Sequence, residues 1–277
     1  MRIIKFFDTI KTINLENNIQ ILNILILAII QGATEFFPVS SSAHLILFSK
    51  ISGQTDQGLV IDTFLHLGSF FAVLAYFYND IRLMLPQFRH TDSAKNSLLI
   101  KIILATIPIL IVGFFVYDFV EEYFRDPKII AWTTIIFAIP LFYFDKKRGT
   151  KNLLNNMRLS QSLIIGLTQT LALIPGVSRS GITMTASRSL GYSRSDSARF
   201  SILLSLPTIL GASTLSLNKV IGSGDFHLGL EALISCILSF ITSYLAIAFL
   251  MKWLKKATFT PFVIYRILFG IILLLWL

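Results

Sequence analysis

The sequence predicts an all-α integral membrane protein: six transmembrane helices and two re-entrant helix–break–helix hairpins, arranged as an inverted-topology repeat. Three observations carry this. Of 277 residues, 54% are hydrophobic and only 14% charged, against about 25% charged in soluble domains, and the mean hydropathy is +0.72. Six apolar segments have the length of a membrane span. Two further apolar stretches run into a proline and a serine-rich break, then resume as pieces too short to span.

A helix crossing a hydrocarbon core of about 30 Å needs roughly 20 apolar residues. The segments at about 61–79, 98–117, 129–144, 200–217, 229–251 and 261–277 fit that requirement, the third and last being short. Ahead of them, ILNILILAII leads into QGATEFFPVSSSAH. The apolar stretch 19–37 is expected to end near Phe37, because Pro38 lacks an amide hydrogen and disfavours a helical residue before it. Ser40, Ser41 and Ser42 are good N-caps for a second piece over 42–51. The stretch 160–175 repeats the pattern: Pro175 and Gly176 interrupt it, and Ser178 or Ser180 can cap a piece over 181–190. Irregular backbone facing lipid is not tolerated, so both breaks must be buried in protein or line a wet cavity. For 19–37 alone, an ordinary spanning helix followed by a loop is the competing reading.

The N-terminal MRIIKFFDTIKTINLENN is interrupted by Lys5, Asp8, Lys11 and Glu16 and lacks a small-residue cleavage site. It reads as a retained surface segment rather than a signal peptide. The net charge of +9 lies in short loops between apolar runs, so it marks topology and not a nucleic-acid partner. Loops 80–97, 145–159, 188–199 and 252–260 carry the basic residues, including Arg89, Lys95, Arg148 and Lys151, and face the cytoplasm by the positive-inside rule. The acidic DFVEEYFRDPK (118–128), the near-neutral LNKVIGSGDFH (217–227) and both termini fall on the other side. Cys236, inside LISCILSF, offers neither a disulfide framework nor a ligand cluster.

In this orientation the first hairpin enters from outside and the second from the cytoplasm, as an inverted repeat requires. The chain is then one polytopic domain, 1–277, with repeat halves at about 19–144 and 160–277. A shift of 138 residues places Gln31 on Gln169, Val39 on Val177, Ser40 on Ser178, Ser42 on Ser180 and Ala43 on Gly181, with Pro38 and Pro175 one residue apart.

Two helix N-termini would thus point into the membrane interior, where open backbone amides and positive dipole ends attract phosphate. Ser40, Ser42, Ser178 and Ser180 at those ends are candidate substrate-binding residues. Arg179 is costly at membrane depth unless it faces a partner or cavity, and its fork of donors suits a phosphoryl group; the competing reading is an arginine snorkelling to the cytoplasmic headgroups. Gln31 and Glu35, four residues apart, share a helical face. Their oxygens are hard ligands suited to Mg²⁺ or Ca²⁺; alternatively Glu35 is neutral, buried and bonded to a cap. His44, three residues after Ser41, can reach its hydroxyl and act as base. His66, mid-span in FLHLGS, reads as structural or supporting, and His90 and His227 fall in loops.

These residues resemble a known family. QGATEFFPVSSSAH is similar to the [EQ]-x-x-x-E-…-P-V-S-S-[ST]-x-H element of the undecaprenyl-diphosphate phosphatases of the bacitracin-resistance type, and PGVSRSGITM to that family's second signature, P-G-x-S-R-S-G. IDTFLHLGSFFAVL (61–74), FSILLSLPTILGA (200–212) and PFVIYR (261–266) extend the likeness over essentially the whole chain. The resemblance implies a phosphatase of the bacterial cytoplasmic membrane whose site opens to the outer side. It would convert a polyprenyl diphosphate lipid in the bilayer to the monophosphate, recycling the carrier of cell-wall polymers and conferring bacitracin resistance. It also implies a divalent cation, Mg²⁺ or Ca²⁺, and is compatible with a homodimer. Carried over by position, Glu35 and Gln31 match the metal-associated element, Ser41 the nucleophile, His44 its acid–base partner and Arg179 the phosphate-binding arginine. Gln31 stands where many members have glutamate, one carboxylate fewer, and Ala43 replaces a common glycine. Attack by His44 itself or by a metal-activated water are alternatives to Ser41.

A lipid flippase or secondary transporter shares the inverted-repeat architecture and is the rival class; a purely structural membrane protein is the third. A lipid phosphatase with the K-x6-R-P element is disfavoured, since the chain contains no Arg-Pro dipeptide.

Overall fold

A computed structural model describes residues 21–52, 58–87, 97–147, 149–150, 157–223 and 229–277. The expectations for the N-terminal surface segment and for Arg89, His90, Lys95, Arg148, Lys151 and His227 lie outside the described residues. In chain order the helices are α1 (Ile21–Thr34), α2 (Ser41–Ser52), α3 (Gly58–Tyr76), α4 (Tyr78–Gln87), α5 (Leu98–Tyr123), α6 (Pro127–Asp145), α7 (Leu159–Gln169), α8 (Arg179–Ser189), α9 (Arg194–Ser223), α10 (Leu230–Trp253) and α11 (Thr260–Trp276).

Helices α3, α5, α6, α9 and α10 are long and apolar enough to cross a membrane. The sixth predicted span, 261–277, is α11, a helix of 17 residues, about 25 Å at 1.5 Å per residue. Local chemistry sets several ends. Asp126 accepts from the amide of Lys128 at 2.7 Å, with Pro127 in the first helical position, where its missing N–H costs nothing. Ser97 caps α5 through the amide of Leu99 at 3.3 Å. Ser193 accepts from the amide of Asp196 at 3.1 Å and donates to its carboxylate at 2.8 Å, which starts α9 inside the stretch expected as a loop. Helix α4 likewise occupies the start of the expected loop 80–97; Asp80 in its first turn pairs with Arg199 of α9.

Each interrupted helix packs on a long helix from the other half of the chain. A Cβ on Gly32 of α1 would meet Thr242 and Ser243 of α10, and one on Gly166 of α7 would lie 2.4 Å from the Ala105 carbonyl oxygen of α5. Between helices in lipid, such small residues let backbones approach closely. Gly68 does the same for α3 on α10, its ideal Cβ falling 2.2 Å from the Cys236 carbonyl oxygen. At one end of the bundle, buried Asp145 accepts from Arg194 Nε at 2.6 Å and from the Phe259 amide at 2.9 Å, while Arg188 donates to its carbonyl at 3.1 Å. This cluster ties together α6, α8, α9 and the start of α11.

Candidate active site

Both expected breaks are present. After α1 the chain turns over 35–39 and re-enters helix at Ser41; after α7 a single 3₁₀ turn (Thr170–Leu173) and an irregular stretch lead to Arg179. Ser40 and Ser178, one residue before each new helix, have φ of +74° and +71°, the only positive values outside glycine among the described residues. Such a conformation costs an L-residue on the order of 1–3 kcal/mol and persists only where surroundings over-determine it. The two breaks are alike in detail. Ser40 Oγ lies 3.2 Å from Ser42 Oγ, and Ser178 Oγ lies 3.1 Å from Ser180 Oγ. Ser178 also caps α8, accepting from the amide of Gly181 at 3.1 Å.

The breaks touch. Ser180 Oγ donates to the carbonyl of Phe37 at 2.7 Å. Arg179 Nη2 donates to Glu35 Oε1 at 2.7 Å, and its Nη1 donates to the Ser201 carbonyl at 2.9 Å. The other carboxylate oxygen, Glu35 Oε2, accepts from Ser41 Oγ at 2.6 Å and from Gln31 Nε2 at 3.0 Å. Glu35 is therefore the hub, joining a serine of the first break to an arginine of the second. The pair is withdrawn from solvent, at 12% side-chain exposure for Arg179 and 8% for Glu35, so the attraction between them is weakly screened. An isolated charge there would be costly; together with serine, amide and carbonyl partners the two are compensated.

The hub opens onto a cavity of about 340 Å³. It is lined by Glu35, Ser40, Ser41, Ser42, His66 and Arg179, by further polar residues such as Asp62, Thr63 and Thr208, and by apolar ones such as Leu45, Ile109, Leu173, Ile209 and Ala212.

His44 is placed differently from the sequence reading, whereas His66 takes the supporting place that reading allows. His44 does not face the Ser41 hydroxyl. Its Nδ1 lies 2.6 Å from the Ser40 carbonyl oxygen and its Nε2 2.6 Å from the Tyr265 hydroxyl. A carbonyl can only accept, so Nδ1 carries the hydrogen, and in the neutral ring Nε2 accepts from Tyr265. His66 instead reaches the cavity wall: its Nδ1 donates to the Asp62 carbonyl at 2.7 Å, and its Nε2 lies 3.9 Å from Glu35 Oε2. The signal for His66 was its position mid-span in FLHLGS, but helical rotation alone does not say which neighbour it meets.

Arg266 is the other residue that sequence reasoning passed over as a site component, although an arginine within an apolar segment is itself a functional signal. It is completely buried and donates to main-chain carbonyls of both breaks.

Glu35 and Gln31 were the expected cation ligands. Gln31 is fully buried and turns its NH₂ toward Glu35, and its Oε1 has no hydrogen-bond partner. Among the described residues no three His, Cys, Asp or Glu side chains come together as a metal-binding group. A single carboxylate is the hard anionic donor here, so a cation at this place would have to take most of its ligands from elsewhere, as Mg²⁺ commonly does from phosphate oxygens and water.

A family model described as bacitracin resistance protein BacA matches residues 24–272. A relative from Alcanivorax borkumensis, named undecaprenyl-diphosphatase, is 45% identical over 261 residues, covering 91% of this chain and 97% of its own. Proteins of the same name from Campylobacter curvus and Roseobacter denitrificans are 41% and 39% identical, each match covering 92% of this chain and 98% and 97% of theirs.

Proposed function

Because the chain belongs to the bacitracin resistance protein BacA family, we propose that it is an undecaprenyl-diphosphate phosphatase. It hydrolyses undecaprenyl diphosphate to undecaprenyl phosphate and orthophosphate, recycling the lipid carrier for cell-wall synthesis and so conferring bacitracin resistance. The observation that carries this is the chain Ser41–Glu35–Arg179, which crosses both breaks at the wall of a mostly apolar cavity.

Ser41 is the nucleophile in this reading, and Glu35 is the base that faces it. Glu35 Oε2 takes the Ser41 proton as Oγ attacks the terminal phosphorus. The bond from that phosphorus to the bridging oxygen breaks, and Glu35 passes the proton to the departing undecaprenyl phosphate. Water then attacks the phosphoserine, Glu35 relays its proton back to Ser41 Oγ, and orthophosphate leaves. Arg179, oriented by the Ser201 carbonyl and Glu35, offers guanidinium N–H groups to the phosphoryl oxygens. Ser40, Ser42, Ser178 and Ser180 shape the two helix starts whose amides face the diphosphate. A divalent cation, Mg²⁺ or Ca²⁺, held by Glu35 with Gln31 behind it and by the substrate's own oxygens, would supply charge neutralisation. Such chemistry is mainly positioning and electrostatics. His44 touches none of these reacting groups.

The proposed architecture is two inverted halves, each with three spans and a re-entrant hairpin, in the bacterial cytoplasmic membrane. The matched φ values at Ser40 and Ser178 and the matched serine pairs support it, as does the crossed packing of Gly32 and Gly166. By the positive-inside rule the cavity, whose lining includes Tyr117 and Arg125 beside the acidic segment 118–128, opens to the outer face.

Purified protein in detergent with Mg²⁺ is expected to release orthophosphate from undecaprenyl diphosphate, and excess EDTA is expected to stop it. No release from any isoprenyl diphosphate would overturn the phosphatase reading in favour of a carrier. Full rates in EDTA would remove the cation.

A further inference from the structure

Two adjacent residues of α11, Tyr265 and Arg266, reach the two breaks without lining the cavity. Arg266 is 0% exposed. Its Nη1 donates to the Pro38 carbonyl at 3.4 Å, its Nη2 to the carbonyls of Gly176 and Val177 at 2.9 and 3.0 Å, and its Nε to the Thr134 carbonyl at 3.1 Å. Three of these four acceptors stand one or two residues before the strained serines, Pro38 ahead of Ser40 and Gly176 and Val177 ahead of Ser178. Tyr265 acts on the first break through one intermediary: its hydroxyl donates to His44 Nε2, and His44 Nδ1–H donates to the carbonyl of Ser40 itself. The imidazole stacks with the rings of both Tyr265 and Phe269, at centroid distances of 5.7 and 4.6 Å, and those two rings also stack on each other at 5.7 Å.

We propose that Tyr265 and Arg266 form a clamp that holds the two breaks in register, and that His44 is a positioning residue linking Tyr265 to Ser40. The proposal rests on the phosphatase reading of the site. A positive φ at a serine must be over-determined by its surroundings, and here the clamp grips the carbonyls of Pro38 and Ser40 around the first strained residue and those of Gly176 and Val177 just ahead of the second. A buried arginine satisfied by carbonyls is a costly substitute for an apolar side chain. Its donor fork is the one group that can reach both turns from a single helix. Register matters because the Ser41 hydroxyl and the Arg179 guanidinium must meet one carboxylate, and a displacement of about 1 Å at reacting atoms can cost 10²-fold. The placement also accounts for a histidine whose two nitrogens are both engaged away from the reacting groups.

The test uses purified full-length protein and three substitutions. Tyr265→Phe keeps the ring stack and removes one donor. It is expected to lower kcat about tenfold with KM within about twofold of wild type. His44→Asn keeps an N–H at the Nδ1 position and is expected to be at least about tenfold more active than His44→Ala, with the pH profile of wild type. Arg266→Lys can reach one turn but not both. Amide hydrogen exchange is read in parallel: the segment 38–44 exchanges faster in Tyr265→Phe, and both 38–44 and 176–182 exchange faster in Arg266→Lys. His44→Asn as inactive as His44→Ala, with Tyr265→Phe turning over like wild type, would overturn the clamp. Unchanged exchange at both breaks in all three variants would overturn it equally. If wild-type protein hydrolyses nothing, the phosphatase reading fails, and the exchange measurements decide the clamp on their own.

Discussion

Ser41→Ala is expected to lower kcat for undecaprenyl diphosphate by at least about 10³-fold while the protein stays folded. Of the serines at the two breaks, Ser41 is the one whose hydroxyl donates to a carboxylate, at 2.6 Å, so it alone is placed to lose its proton as it attacks. Ser40 and Ser42 pair with each other, and Ser178 is occupied as a helix cap. Removing the Ser41 oxygen leaves Glu35 with Arg179 and Gln31 as donors, so the buried carboxylate is still compensated and little stability is lost. Phosphate release beside a thermal unfolding curve checks both halves of the prediction. Turnover near wild type would return the reaction to a water or histidine nucleophile.

Glu35→Gln is expected to lower kcat by about 10²–10⁴-fold, the range of a general base. Glutamine keeps the shape and still offers Arg179 an acceptor oxygen, and the Ser201 carbonyl holds the other guanidinium nitrogen. What it loses is the ability to take a proton from Ser41. It also presents a neutral partner to Arg179, which is then freer to bind anions. The expected kinetic signature is therefore a fall in kcat with KM unchanged or lower. A rise in KM at constant kcat would show that Glu35 serves in binding instead.

Much of this arrangement is legible in the sequence because it depends on local chemistry. Pro38 and Pro175 each mark a break, although the helices stop earlier than the expected Phe37 and 175, at Thr34 and Gln169; new helices start at the serine-rich runs that follow, with Ser178 as a cap, effects readable one residue at a time. Arg179 is conspicuous because a charge in an apolar segment needs a partner. The pairing of the breaks could be anticipated from the 138-residue shift, since equivalent serines adopt equivalent strained conformations. Partner choice was not legible. Ser41 and His44 are three residues apart on one helix, which suggests contact, yet each finds a closer partner in space: Ser41 the carboxylate of Glu35, His44 the carbonyl of Ser40 and a hydroxyl 221 residues away. Helix ends were similarly blurred. The expected loop at 80–97 begins inside a polar helix, Tyr78–Gln87, whose Asp80 finds Arg199 of α9, and no local pattern announces a partner so distant in sequence.

The claim at the centre of this account is that the two breaks make one site, joined by Glu35 and Arg179. A double-mutant cycle on kcat/KM with the mild substitutions Glu35→Asp and Arg179→Lys tests it most directly, because both single variants keep their charge and measurable turnover. Strong coupling is expected: the double variant is no slower than the slower single variant, since either change already breaks the shared geometry. Losses that simply multiply, as for independent residues, would contradict it.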